Sequence, residues 1–116
     1  MNERALCKLA ELPDGSARGL LRAGNDDQVF AVRQGNEVFV WLNDCPHNHR
    51  PLEYRQDQFL SADGQHIVCY AHGAHFEIRS GHCFAGPCEG DRLIPVPHRL
   101  EDGVVWIAAE LPTPFD

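Results

Sequence analysis

The sequence predicts an all-β fold, and three observations carry that prediction. β-branched and aromatic residues gather in short runs. Turn signals such as Pro13-Asp14-Gly15, Gln34-Gly35-Asn36 and Glu101-Asp102-Gly103 separate those runs at frequent intervals. No stretch holds a helical period, an internal repeat or a low-complexity composition. At 116 residues and 43% apolar content the chain suits one domain with a packed core.

Each element follows from local chemistry. Residues 5–12 form an apolar-rich run that stops at Pro13-Asp14-Gly15, and residues 17–22 read as a strand ended by Gly24-Asn25. Residues 29–33 and 37–42 are joined across Gln34-Gly35-Asn36 as a hairpin. In its second arm Val38, Val40 and Leu42 face one way, with Phe39 and Trp41 facing the other. Phe59-Leu60 and residues 66–69 flank Ser61-Ala62-Asp63-Gly64, which predicts another hairpin. Residues 74–78 read as a strand closed by Arg79-Ser80-Gly81, and residues 83–90 as a loop around Gly86-Pro87. Pro95 and Pro97 make residues 93–100 an edge strand or an irregular segment, because proline cannot donate to a ladder. A last strand covers 104–109, and the tail 111–116 has two prolines and no pattern.

The chemistry lies between residues 45 and 72. Cys45-Pro46-His47 opens the stretch and Cys69-Tyr70-Ala71-His72 closes it. Each end offers one thiolate and one imidazole, a ligand set typical of a metal site. Two cysteines with two histidines allow two readings: a tetrahedral zinc held by all four groups, or a [2Fe–2S] centre with sulfur on one iron and nitrogen on the other. Common zinc fingers pair Cys with Cys and His with His. Here each loop carries one of each, and interleaving the loops sets Cys45 beside Cys69 and His47 beside His72, an arrangement suited to an asymmetric two-iron group.

This pattern resembles the Rieske ferredoxin family. His72-Gly73 follows the second cysteine as in the family's second loop, and Gly86-Pro87 looks like its glycine-proline loop, which covers the cluster. The resemblance implies that Cys45, His47, Cys69 and His72 bind one [2Fe–2S] cluster. It selects these spacings over the rival ligands His49 and His75, which are placed near the rim or in solvent. It also implies a single domain over 1–116. A basal antiparallel β-barrel or sandwich would be formed by 1–42 and 94–116, with a small cluster-binding subdomain, 43–93, inserted into it. The segment between the loops, 48–68, is longer than in many relatives, and the excess reads as a surface hairpin.

The implied function is electron transfer, not enzymatic catalysis: a low-potential ferredoxin linking a flavin reductase to a terminal oxygenase. Respiratory members carry a serine and a tyrosine after the second loop and join their two loops by a disulfide. Ala74 and Phe76 stand at the hydroxyl positions here, with Arg50 and Ala71 at the disulfide positions. The alternatives are the small Rieske subunit of a larger reductase, such as a nitrite reductase, and, from the zinc reading, a zinc-stabilised binding module. The chain is too short to hold a mononuclear iron domain as well.

A net charge of −7 argues against nucleic acid and suits docking to a basic patch on a redox partner. No apolar run approaches the roughly 18 residues that span a membrane. The first residues lack a signal-peptide layout, so a cytoplasmic location is expected. Five cysteines, an odd number, argue against a disulfide framework. Cys7, Cys83 and Cys88 are therefore read as small core residues, Trp41 and Trp106 as core or edge aromatics, and His66, His82 and His98 as residues without a special role.

Overall fold

The computed structural model describes residues 3–24, 26–46, 51–53, 55–70 and 73–112. Strand β1 (Glu3–Lys8) leads into a short 3-10 helix, Leu9–Glu11, where the Glu11 carboxylate accepts from the Lys8 backbone N–H at 2.7 Å. Beyond it lie β2 (Ala17–Ala23), β3 (Asp26–Gln34) and β4 (Glu37–Leu42). The short strands β5 (Ile67–Cys69), β6 (Ala74–Phe76) and β7 (Cys83–Ala85) come next, and β8 (His98–Glu101) and β9 (Val104–Ala108) complete the set. They form three antiparallel sheets with the orders β1-β9-β8, β2-β3-β4 and β5-β6-β7. The expected all-β class is what the chain adopts.

The middle sheet explains how the molecule is divided. β3 is buried on both faces: Val29 and Ala31 enter one core cluster, Phe30 and Val32 the other. β4 splits in the same way. Val38, Val40 and Leu42 pack with Val105 and Ile107 of β9, while Trp41, with Phe39 at its margin, joins the cluster that contains Cys45 and Cys69. The alternation read from residues 38–42 thus sends the two faces of one strand into two different interiors.

The chain's ends meet in the first sheet, where β9 lies between β1 and the exposed edge strand β8. Arg99 on β8 passes over the Trp106 ring at 5.5 Å and reaches Glu3 on β1 at 2.9 Å. The proline-containing segment before β8 runs beside β4: Leu42 N–H donates to Ile94 O, and Val96 N–H to Val40 O, both at 3.0 Å. Pro95, which lacks an N–H, occupies the position between these bonds, opposite Trp41.

Several boundaries differ from expectation. The first run divides into β1 and the 3-10 turn. The strand expected over 74–78 stops at Phe76, because residues 78–80 turn so that Gly81 N–H can reach Glu77 O at 2.8 Å. The expected loop 83–90 begins as strand β7. The Phe59-Leu60 arm of the second hairpin is a single bridge, Leu60 to Ile67. The segment before it is more than surface excess. Leu52 and Phe59 are fully buried, and Phe59 stacks on Phe30 with ring centres 4.4 Å apart.

Candidate metal centre

The first loop leaves β4 at Asn43, a buried polar residue that anchors the loop's two sides to each other. Its backbone N–H donates to Gln28 O at 2.9 Å. Its side-chain amide donates to Asp27 O at 2.9 Å and to Glu53 Oε1 at 2.8 Å, and its carbonyl accepts from Leu52 N–H at 2.9 Å. One side chain therefore fastens residues 52–53, on the far side of the loop, back to β3. Burial pushes the Glu53 carboxyl above the usual carboxylate range, and the Asn43 amide opposes that rise. Two residues beyond Asn43, Cys45 is completely enclosed.

The second loop starts at the end of β5. Cys69 pairs with Ala74 in the β5–β6 ladder and is also completely enclosed. Gly73 N–H closes the turn by donating to Cys69 O at 2.9 Å. The Tyr70 N–H donates to Leu52 O at 3.0 Å, which ties this loop to the first, and the Tyr70 hydroxyl donates to Leu60 O. The two thiols reach one core cluster from opposite ends of the intervening segment, beside Phe30, Trp41 and Phe76.

A third segment presses on the second loop. At Gly86, whose φ is +97°, a Cβ would lie 2.7 Å from Ala74 Cα and 2.9 Å from the Gly73 carbonyl oxygen. The backbone of the Gly86-Pro87 turn therefore rests directly on residues 73–74. Just behind it, the Cys88 thiol donates to Cys83 Sγ at 3.1 Å, and Cys83 donates to Ala85 O at 3.2 Å. Burial, reinforced by Cys83, pushes the Cys88 thiol up to about 12. These two residues, with Cys7 in the other core, occupy buried positions as small apolar side chains would.

The donor chemistry fits a metal group. A thiol buried among aromatic and aliphatic side chains resists ionisation. A metal cation supplies the positive charge that stabilises two enclosed thiolates at once. His47, His49 and His72, with Arg50 and Ala71, lie outside the described residues. His75 is described, on the other side of the sheet from Cys69. It lies opposite Val68, between Ala74 and Phe76, both of which point into the core that holds Cys69. His98 has a structural role that the sequence did not reveal: its ring nitrogens lie 2.9 Å from Val96 O and 2.7 Å from Val38 O, linking β8 to β4.

Asn43 was invisible to sequence reasoning because its partners come from two segments distant in the sequence, β3 and residues 52–53. Replacing it with alanine would remove its side-chain bonds to the Asp27 carbonyl, the Leu52 N–H and the Glu53 carboxyl. The expected cost is about 2–4 kcal/mol of unfolding free energy, read as a lower denaturation midpoint.

Among known proteins, the family described as Rieske [2Fe-2S] domain matches residues 2–102. The ferredoxin component of the p-cumate 2,3-dioxygenase system of Pseudomonas putida is 29% identical over 103 residues, covering 88% of this chain and 81% of that protein. The Sphingomonas yanoikuyae B1 ferredoxin superposes with a TM-score of 0.71 at 29% identity, over 94% of this chain and 100% of that one. The ferredoxin of carbazole 1,9a-dioxygenase from Nocardioides aromaticivorans IC177 shares the fold, with a TM-score of 0.72 at 22% identity over 95% of this chain and all of its own.

Proposed function

Because this chain belongs to the Rieske [2Fe-2S] domain family, we propose that it is a low-potential ferredoxin passing single electrons from a flavin reductase to a terminal oxygenase. Its cofactor is a Rieske-type [2Fe–2S] cluster, which decides against the lone-zinc reading. The protein is an electron-transfer component of an oxygenase system, as its dioxygenase-system relative is named, and not a catalyst in its own right. When bound, that group supplies one-electron chemistry.

The observation that carries the reading is the delivery of Cys45 and Cys69, both fully buried, into one core cluster from two separate loops. We assign these two thiolates to one iron and the imidazoles of His47 and His72 to the other. Residues 43–93 then form the cluster-bearing part, and 1–42 with 94–116 the base. Among the described residues no helix is long and apolar enough to cross a membrane. We place the carrier in the cytoplasm, where its thiols stay reduced.

Reconstitution tests this. Purified protein is mixed with a flavin reductase, its reduced nicotinamide and a Rieske-type terminal oxygenase. Oxygenase turnover that depends on this chain supports the proposal. An intact cluster that is reduced by no reductase and passes no electrons on would remove it.

The low potential rests on two buried side chains. Ala74 and Phe76 point into the core shared with Cys69 and bring no hydroxyl there. Hydrogen bonds to the sulfurs raise a cluster's potential, and the net charge of −7 favours the oxidised form. The midpoint is expected below about +150 mV, within a range for such centres of roughly −150 to +300 mV. Ala74→Ser and Phe76→Tyr should each raise it, and a spectroelectrochemical titration reads the change.

A further inference from the structure

The outer face of the β5-β6-β7 sheet carries two imidazoles that the electron-transfer chemistry does not use. His66 and His75 stand on neighbouring chain segments, with ring centres 5.4 Å apart and ring planes at 73°. Both are partly exposed, and neither ring nitrogen makes a hydrogen bond among the described residues, in contrast to His98. Phe84 packs its ring against both, 5.3 Å from His66 and 6.1 Å from His75, and shields one flank.

We propose that His66 and His75 form a second metal site, separate from the cluster, that binds one zinc-class divalent ion. Neutral imidazole is a preferred ligand for zinc, copper and nickel. A tetrahedral ion with Zn–N bonds of about 2.0–2.1 Å holds two imidazole centres about 5 Å apart. The observed spacing matches this. Binding requires rotation about χ2 to bring one nitrogen of each ring to the common point. The antiparallel ladder fixes the backbone beneath the pair: Val68 lies opposite His75, and Ile67 opposite Phe76. Phe84 packs against both rings, so part of their side-chain freedom is already lost before binding. Among the described residues no cluster of three or more His, Cys, Asp or Glu side chains forms. Water completes the shell, which makes this an exchangeable site and not a structural one.

Calorimetric titration with Zn²⁺ tests the site on protein loaded with two irons per chain, so that the cluster ligands are already occupied. The expected result is one zinc per chain. His66→Phe and His75→Phe keep the ring packing and remove the nitrogens, and each should weaken binding by about tenfold or more. His82→Ala should bind as the parent does. Iron content and the visible spectrum, measured alongside, show that the cluster is retained. If a phenylalanine variant loses iron, the corresponding alanine variant takes its place. Binding unchanged in both ring variants, or no saturable binding by the parent, would overturn the proposal.

Discussion

Replacing Cys69 with serine is expected to abolish the visible absorption of the protein and to leave a chain that unfolds at a markedly lower temperature. The thiolate at this position sits at the end of β5, fully enclosed, within a turn closed by the Gly73 N–H. A serine hydroxyl is a harder donor and stays protonated, so it does not replace a thiolate on iron. Metal binding is also folding free energy, because a group shared by the two loops adds to the contacts that already join them. Cys45→Ser should behave in the same way. Cys83→Ser provides the contrast. Its thiol is spent on Cys88 and Ala85, so the spectrum should survive with a modest loss of stability. Iron content, the absorption spectrum and a thermal melt of the three variants decide the matter. Loss of colour in Cys83→Ser with retention in Cys69→Ser would reverse the ligand assignment.

Gly86→Ala should be strongly damaging although it removes none of the proposed ligands. Two costs coincide there. A φ of +97° is open to glycine and strained for alanine, at about 1–2 kcal/mol. The new Cβ would also meet Ala74 Cα at 2.7 Å and the Gly73 oxygen at 2.9 Å, backbone atoms that move only with the second loop. Overpacking of that kind adds about 1–3 kcal/mol. The total, about 2–5 kcal/mol, should appear as a lower denaturation midpoint and faster loss of iron to a chelator. Gly90→Ala separates the two costs. Its φ is similar, +96°, but nothing lies within 4 Å of the added carbon. It should lose only the conformational part and keep its iron as well as the parent.

Local pattern and distant pairing differed in how far they could be read. The β3–β4 hairpin was legible because a Gly-containing turn separates two β-rich runs, and the opposite facings within residues 38–42 followed from alternation alone, whereas their burial in two separate cores did not. The pairing of β1 with β9 has no local signature, since it joins residues about a hundred positions apart. Residues 51–59 look irregular in sequence. Their structural importance lies in Leu52 and Phe59, two isolated apolar side chains that no period marks as core. At the proposed centre, the sequence picks out Cys45 and Cys69 through their spacing to histidine, and the structure buries both in one core cluster. Asn43 beside them, and the carbonyl-bound His98 in the base, are single polar residues whose partners become visible only once the chain has folded.

The doubly covered middle sheet has a consequence for anyone wishing to move this redox unit. Its loops have no floor of their own. Phe30, Val32 and Trp41, which lie beneath the cysteines, are rooted in strands whose opposite sides belong to the rest of the protein. A graft of residues 43–93 onto a foreign scaffold would arrive with its underside open to water. The smallest transplantable piece is therefore that stretch together with β3 and β4, on a host whose own interior offers a matching apolar wall for Val29, Ala31, Val38 and Val40.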